Sequence, residues 1–498
     1  MYAVGTRRFS QNFLATLASS FVAGVGLVSL LLHFGYTTMF WLVCGLPLGS
    51  FIILWGFQSA PAKLKSLRTQ LRWWHFLWLL VFLSGLVFRI RDVAAIEANV
   101  LDFWSLYRII LMGIVAVVLL NRLVFRHTPW DESLFRGLIG LVTGYAMVSL
   151  VSTLWSVYPM WTFYKSTEYL VDLALIAAIM VSVRTLEEFK TLFDWTWVIL
   201  SLLTGTVWLG VAVWPEAAIV DNNLIGVELR GVLPAMETNS VGDLGAVLGI
   251  VALTRLLFPI KHGRFYLFVF LISMVTLVLS QSRSPLMGFL VALVLVLFKT
   301  RRLGVVALFA LLIPAVLSLT NFGDLFWEFF QRGQSPKYFE SLSGRIPLWE
   351  SGWDLFKEQP LTGYGAYAAG RFGVIANLRD TSWSSILNTW LEVLLGTGLL
   401  GVLPFLGAFI GTWMMLLRSA PGAGNCYSLV QRLQVEAIGI LAVLSVRSMF
   451  TVELIWHPPL NFLLVLGFAE YLRRAYREKV YEASYNSPPI SHRVVNAQ

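Results

Sequence analysis

Long apolar stretches, broken by short polar connections, run through almost the whole chain. A helix that crosses a bilayer needs about 20 mostly apolar residues. Runs of this kind fall near residues 13–33, 38–58, 76–93, 104–121, 134–154, 166–183, 193–213, 240–258, 265–281, 285–299, 303–319, 388–416, 433–453 and 459–472. The pattern predicts an all-α, polytopic helical membrane protein with about 12–14 transmembrane helices by that length rule. Outer-membrane strands are excluded, because they alternate apolar and polar positions in short segments and these runs are continuous.

Composition agrees. Of 498 residues, 57% are hydrophobic and 13% charged, about half the ~25% charged content of a soluble domain. Mean hydropathy is +0.72. The net charge of +9 is concentrated on alternate connections: Lys63, Lys65, Arg68 and Arg72; Arg122, Arg126 and Arg136; Arg255, Lys261 and Arg264; Lys299, Arg301 and Arg302; then Arg473, Arg474, Arg477 and Lys479. With Arg7 and Arg8 ahead of the first run, this bias places both termini in the cytoplasm. Such loops account for the basic balance, so no nucleic-acid partner is expected. The first apolar run is a full span without a small-residue cleavage site, so no cleavable signal is expected. Two cysteines, Cys44 and Cys426, provide neither a disulfide scaffold nor a Cys-based metal site.

The unusual material lies on the opposite side, in loops 214–239 and 320–387. The longer one is rich in Trp, Tyr, Pro and Gly and reads as a folded, partly amphipathic cap on the membrane surface. The organisation expected is 1–149 for N-terminal spans, 150–416 for a core that includes both loops, 417–472 for C-terminal spans and 473–498 for a basic, disordered tail.

Four places carry candidate chemistry. Arg230 precedes a span whose start holds Asn239, Ser240 and Asp243; an Arg beside a helix N-terminus suits a phosphate, and it equally suits an interfacial Arg with an ordinary cap. Arg283 sits in the tight polar turn SQSRS between two spans, as a ligand-binding or a snorkelling residue. Arg345, Trp349, Trp353 and Phe356 recur at helical spacing in an amphipathic helix ended by Pro360, followed by Gly363–Tyr364–Gly365, where backbone can approach a ligand. Asn388 is a candidate cap with Glu392 one turn inside, as a buried partner for an Arg or a general base, and Gly396, Gly398 and Gly401 permit close helix packing. None of the six histidines has metal-ligand spacing. His457, in ELIWHPP beside Glu453, suits a structural role better than a catalytic one. No metal and no cofactor are expected. Several arginines, few acids and many aromatics on one face suit a lipid-anchored pyrophosphate attached to sugar.

At these residues the chain resembles the O-antigen ligase and O-antigen polymerase superfamily of bacterial membrane glycosyltransferases, over about 150–415. The segments are LWSVYPMWTFYKSTEYL (154–170), RGVLPAMETNSVG (230–242), SQSRS (280–284), GRIPLWESGWDLFKEQPLTGYG (344–365) and LNTWLEVLLGTGLLG (387–401). The resemblance implies a GT-C-like fold in the bacterial inner membrane. It implies metal-independent, inverting transfer of glycan from undecaprenyl pyrophosphate to an acceptor hydroxyl at the periplasmic face. Arg230, Arg283 and Arg345 would bind pyrophosphate, with Asn239, Asn388, Trp349 and Tyr364 around the glycan. The partners implied are the lipid-linked oligosaccharide, a growing polysaccharide or glycolipid acceptor, the bilayer and a chain-length regulator. Ligases of the superfamily carry a His before the Asn of the last segment; here Leu387 precedes Asn388. Glu237, Glu392 and His457 are the replacements available as base, and the loss of the His favours a polymerase over a ligase. A transporter and a non-catalytic superfamily member remain as alternatives.

Overall fold

The computed structural model describes residues 70–88, 102–126, 129–220, 228–258, 263–302, 331, 335–375, 385–418 and 429–485. The spans expected at 13–33, 38–58 and 303–319 lie outside the described residues. The described chain is almost entirely helical. We label its longer helices α1 (Trp73–Ser84), α2 (Phe103–Arg126), α3 (Gly137–Val151), α4 (Pro159–Ser182), α5 (Leu186–Val213), α6 (Thr238–Leu257), α7 (Gly263–Leu279), α8 (Arg283–Lys299), α9 (Arg345–Glu358), α10 (Thr389–Leu417), α11 (Leu429–Ser448) and α12 (Leu460–Tyr485). Among the described residues, six helices are long and apolar enough to cross a membrane, α2, α5, α6, α10 and α11 among them. The chain is a multi-pass membrane protein.

Local signals explain the boundaries. Thr185 caps α5 by accepting from the Glu188 amide, and Pro159 occupies the first turn of α4, where a missing N–H costs nothing. Along α2, Leu106, Ile110, Ile114, Val117, Leu120 and Val124 are exposed, a stripe at helical spacing that suits contact with lipid. In α6, a Cβ on Gly245 would stand 2.7 Å from the backbone of α7 at Ser273 and Leu277. Only glycine lets the two helices approach this closely. Gly398 interrupts α10 with φ 58°, a left-handed conformation that glycine adopts without strain. At this kink the amides of Leu399 and Leu400 turn to the carbonyls of Pro360 and Leu361, so the segment after α9 docks against the broken helix.

Two ion clamps join α6 to α11. Near one end, Arg255 of α6 gives two hydrogen bonds to Glu436 of α11, at 2.9 and 2.8 Å, and also binds Asp194 of α5 and the Tyr266 hydroxyl. At the other end, Arg447 of α11 binds Asp243 of α6. The two α6 residues are separated by about 18 Å at 1.5 Å of rise per residue. Basic residues meet the helix ends on the Arg255 side: Arg302 donates to the Leu257 carbonyl at the end of α6, and Lys299 to the Leu417 carbonyl at the end of α10. The other end carries the 335–375 segment and is called the cap end below.

Three expectations need correction. The described part of the run at 76–93 is helical over Trp73–Ser84 and turns at Gly85 against the Pro458 ring, and residues 89–93 lie outside the described residues. The loop 214–239 holds an antiparallel strand pair, Ile219–Val220 with Glu228–Leu229, whose Leu229 is buried with Val207, Val241 and Leu279. The tail expected to be disordered from 473 continues α12 to Tyr485, because Arg473 and Arg474 fold back on buried Glu470 and extend the helix. Removing one member of a buried ion cluster strands the others, at about 3–5 kcal/mol. Glu436→Ala is therefore expected to lower the thermal midpoint of the detergent-purified protein sharply. An unchanged midpoint would show that the Arg255 clamp is not holding the bundle.

Candidate functional site

The cap end is organised around Arg447, which is 1% exposed. Its Nε donates to Asp243 Oδ1 at 3.2 Å, one Nη donates to Ser284 Oγ at 2.9 Å, and the other binds the Glu453 carboxylate. One guanidinium thus ties α6, the first turn of α8 and the loop after α11 together. Burying a charge requires this compensation. The run expected at 433–453 accordingly ends as a helix at Ser448, and the loop that follows brings Glu453 back to the arginine.

Several residues marked out by the sequence surround this point. Arg283 opens α8 immediately before Ser284; its guanidinium reaches the Gln331 carbonyl at 3.4 Å and lies 5.1 Å from the Phe339 ring. Arg345 opens α9 and lies 5.7 Å from the ring of Phe450, one turn beyond Arg447. Trp349 packs near the same Phe450 ring and donates from Nε1 to the Ile386 carbonyl at 3.0 Å. Asn388 caps α10, accepting from the Trp390 and Leu391 amides at 3.0 and 3.1 Å. That cap is fixed to the end of α11 by Thr389 to the Thr451 carbonyl (2.7 Å) and Trp390 to Ser448 (3.1 Å). Asn239 does not cap α6. The helix starts at Thr238 with Glu237 as its N-cap, and the Asn239 side chain receives the Ser282 hydroxyl of the Arg283 turn.

Others stand apart. Arg230 lies on the strand pair, half-exposed, 4.0 Å from Glu228. Glu237 is exposed. Glu392 is 2% exposed and turned inward: a Cβ on Gly370 would lie 2.2 Å from its Oε2, and the Ile386 and Gly370 amides face it with Arg371 nearby. His457 has both ring nitrogens engaged, Nδ1 with Asp172 at 2.6 Å and Nε2 with Ser84 Oγ at 2.8 Å. Tyr364 gives its hydroxyl to Glu358 at 3.1 Å, while its backbone joins Leu395 to Val157. Burial and that carboxylate raise its phenol above the usual value. The glycines beside it serve packing, since a Cβ on Gly365 would lie 2.1 Å from Ser156 Oγ. This is close approach of backbone to protein.

Charged groups also lie inside the bundle. Glu168 of α4 receives Arg108 and Lys165, each at 2.8 Å, and the Lys165 ammonium lies among Trp161, Tyr164 and Trp456. Lys165, Glu168 and Asp172 are three charges within the one helix α4, which marks an interior or functional face. Their partners on α2 and in the loop before α12 are not legible in the sequence.

Residues 268–406 match the family model described as O-Antigen ligase. The matched stretch contains Arg283, Arg345, Trp349, Tyr364, Asn388 and Glu392 and stops short of Arg447. No match is found among curated proteins. The fold is that of a multi-pass membrane protein, and this stretch of it is similar to the O-antigen ligase family. More narrowly, the match supports the resemblance to the O-antigen ligase/polymerase superfamily.

Leu387 is in the left-handed region with φ 54°. A bulky side chain there is strained, whereas Asn and Gly occupy that region readily. Leu387→Asn is expected to raise the thermal midpoint in detergent and Leu387→Val to lower it. A midpoint that falls for Asn as far as for Val would show that packing of the leucine outweighs its backbone strain.

Proposed function

We propose that the chain is a polysaccharide polymerase of the bacterial inner membrane, acting at the periplasmic face with both termini in the cytoplasm. It transfers glycan from undecaprenyl pyrophosphate to a hydroxyl of a second repeat unit, by metal-independent inversion at the anomeric carbon. The observation that carries this reading is that Arg283 and Arg345, each opening a helix within the matched stretch, flank the same end of α11. A guanidinium at a helix N-terminus suits a phosphate oxygen, because free N–H groups and the helix dipole add to the cation. Arg447 is already neutralised by Asp243 and Glu453, so it serves as the frame on which the two donor-site arginines stand.

In the reaction the acceptor oxygen bonds to the anomeric carbon as the bond from that carbon to the pyrophosphate oxygen breaks. The electron pair leaves with the pyrophosphate, and arginines stabilise its growing charge. The acceptor proton passes to a base. Trp349, beside Arg345, offers an aromatic face to a sugar ring. Arg230, on the strand pair, belongs to the lip of the donor path in this reading. The absence of a His at Leu387 favours polymerisation over ligation, and a chain-length regulator is the partner expected.

A second reading has its own support: buried ion pairs in α4, α6 and α11 and the kink in α10 are features that transporters use. Vesicle flux separates the two, because a transporter moves solute without any lipid-linked donor.

Arg283→Ala and Arg345→Ala are each expected to reduce elongation of a lipid-linked oligosaccharide in proteoliposomes by at least about 100-fold, the scale of losing one transition-state charge stabiliser. Protein level in the membrane should be unchanged. Elongation at the wild-type rate in both variants would remove the pyrophosphate site.

A further inference from the structure

Glycosyl transfer needs a proton acceptor near the acceptor hydroxyl, and the base candidates drawn from the sequence are poorly placed. Glu237 points to solvent, Glu392 faces inward against Gly370, and both His457 nitrogens are taken. A cavity of about 160 Å³ lies beside Arg447, lined by Asp243, Glu453, Trp456, His457, Pro458 and Asn461 among others. Two oxygens on these lining residues, Glu453 Oε2 and Asn461 Oδ1, receive no hydrogen-bond donor among the described residues. Buried acceptors of this kind are rare, because each costs free energy unless a donor meets it. Two such acceptors on residues that line one cavity, beside the apolar wall of Trp456 and Pro458, fit a ligand that carries several hydroxyl donors on an apolar ring.

We propose that this cavity is the acceptor-sugar subsite and that Glu453 is the catalytic base. The assignment rests on the glycosyl-transfer reading above. Glu453 is held by Arg447, and Arg447 is held in turn by Ser284, the residue next to Arg283. The proton acceptor and the donor-site arginine are therefore fixed to one guanidinium. The acceptor O–H gives its proton to Glu453 Oε2 as the oxygen bonds to the anomeric carbon, and the carbon–pyrophosphate bond breaks with its electron pair leaving on the pyrophosphate. Asn461 Oδ1 accepts from a neighbouring hydroxyl and orients the ring, and Trp456 supplies an apolar wall. His457, locked between Asp172 and Ser84, shapes the cavity floor.

The groups facing Glu453 set its titration. Burial raises its carboxyl above the usual glutamate value, the Arg447 charge opposes that, and Asp243 adds to it. His457 faces the cavity from the same loop, with Asp172 of α4 behind it. A base acts only when deprotonated, so the wild-type rate falls as pH drops through the pKa of this carboxyl.

The test uses the full chain in proteoliposomes with a lipid-linked oligosaccharide donor. It measures donor binding, initial elongation rate against pH, and the acceptor dependence of that rate. Glu453→Gln should lower kcat by at least about 100-fold, the usual contribution of a positioned base, leave donor binding unchanged and abolish the acid limb. Asn461→Ala should raise the acceptor KM several-fold with kcat little changed. Elongation by Glu453→Gln at the wild-type rate, or with the wild-type acid limb, overturns the assignment. If Glu453→Gln does not reach the membrane, Glu453→Asp keeps a partner for Arg447. A displaced acid limb in that variant supports the assignment and an unmoved one overturns it. A wild-type chain that binds the donor and never elongates it overturns the polymerase reading, and this base with it.

Discussion

A guanidinium cannot stay buried in an apolar bundle unless oxygens replace its water. Arg447 satisfies that demand with one group each from α6, α8 and the loop before α12. The architecture of the cap end follows from it. Asp243 fixes the approach of α6, Ser284 fixes the turn from which Arg283 projects, and Glu453 bends the loop back over the end of α11. Arg255 repeats the device in reverse at the other end, where α6 supplies the cation and α11 the carboxylate. A helix pair clamped at both ends in opposite senses resists both sliding and rotation. That rigidity suits a site in which donor and acceptor must be held in line.

The clamp also divides labour among the arginines. Arg447 is enclosed by two carboxylates and has little attraction left for an anion. Arg283 and Arg345 sit at helix starts beside it, where backbone N–H groups reinforce a positive charge. Aromatic rings accompany both: Phe339 near Arg283, and Phe450 with Trp349 near Arg345. In the proposed reaction, phosphate and sugar contacts would therefore fall within one region, most of which lies in the stretch that matches the O-antigen ligase family.

The fold class and most helices were legible in the sequence because apolar runs of span length have few other physical solutions. The strand pair Ile219–Val220 with Glu228–Leu229 was not, since two residues per strand leave no periodicity to read. The amphipathic helix at 345–358 and the Asn388 cap were visible because their signals are local. The partners of Arg447 were not, because Asp243 lies 204 residues away in sequence and a charge inside an apolar run does not say which helix will meet it. Tyr364 and its flanking glycines read as a ligand approach, yet the close contacts there are with Ser156, Leu395 and Gly396. A glycine shows that backbone must come near something, and only the packed fold shows what. Leu387 was conspicuous as a missing base. Its left-handed backbone adds that the position keeps a conformation unsuited to its own side chain.

The central claim is that this membrane protein joins glycan units carried on a lipid pyrophosphate. The most direct measurement is to delete the gene and run the cell's glycans, free and lipid-linked, on a gel. The account predicts that long polymer disappears and single lipid-linked repeat units accumulate. An unchanged glycan ladder, with no accumulated lipid-linked unit, would contradict it.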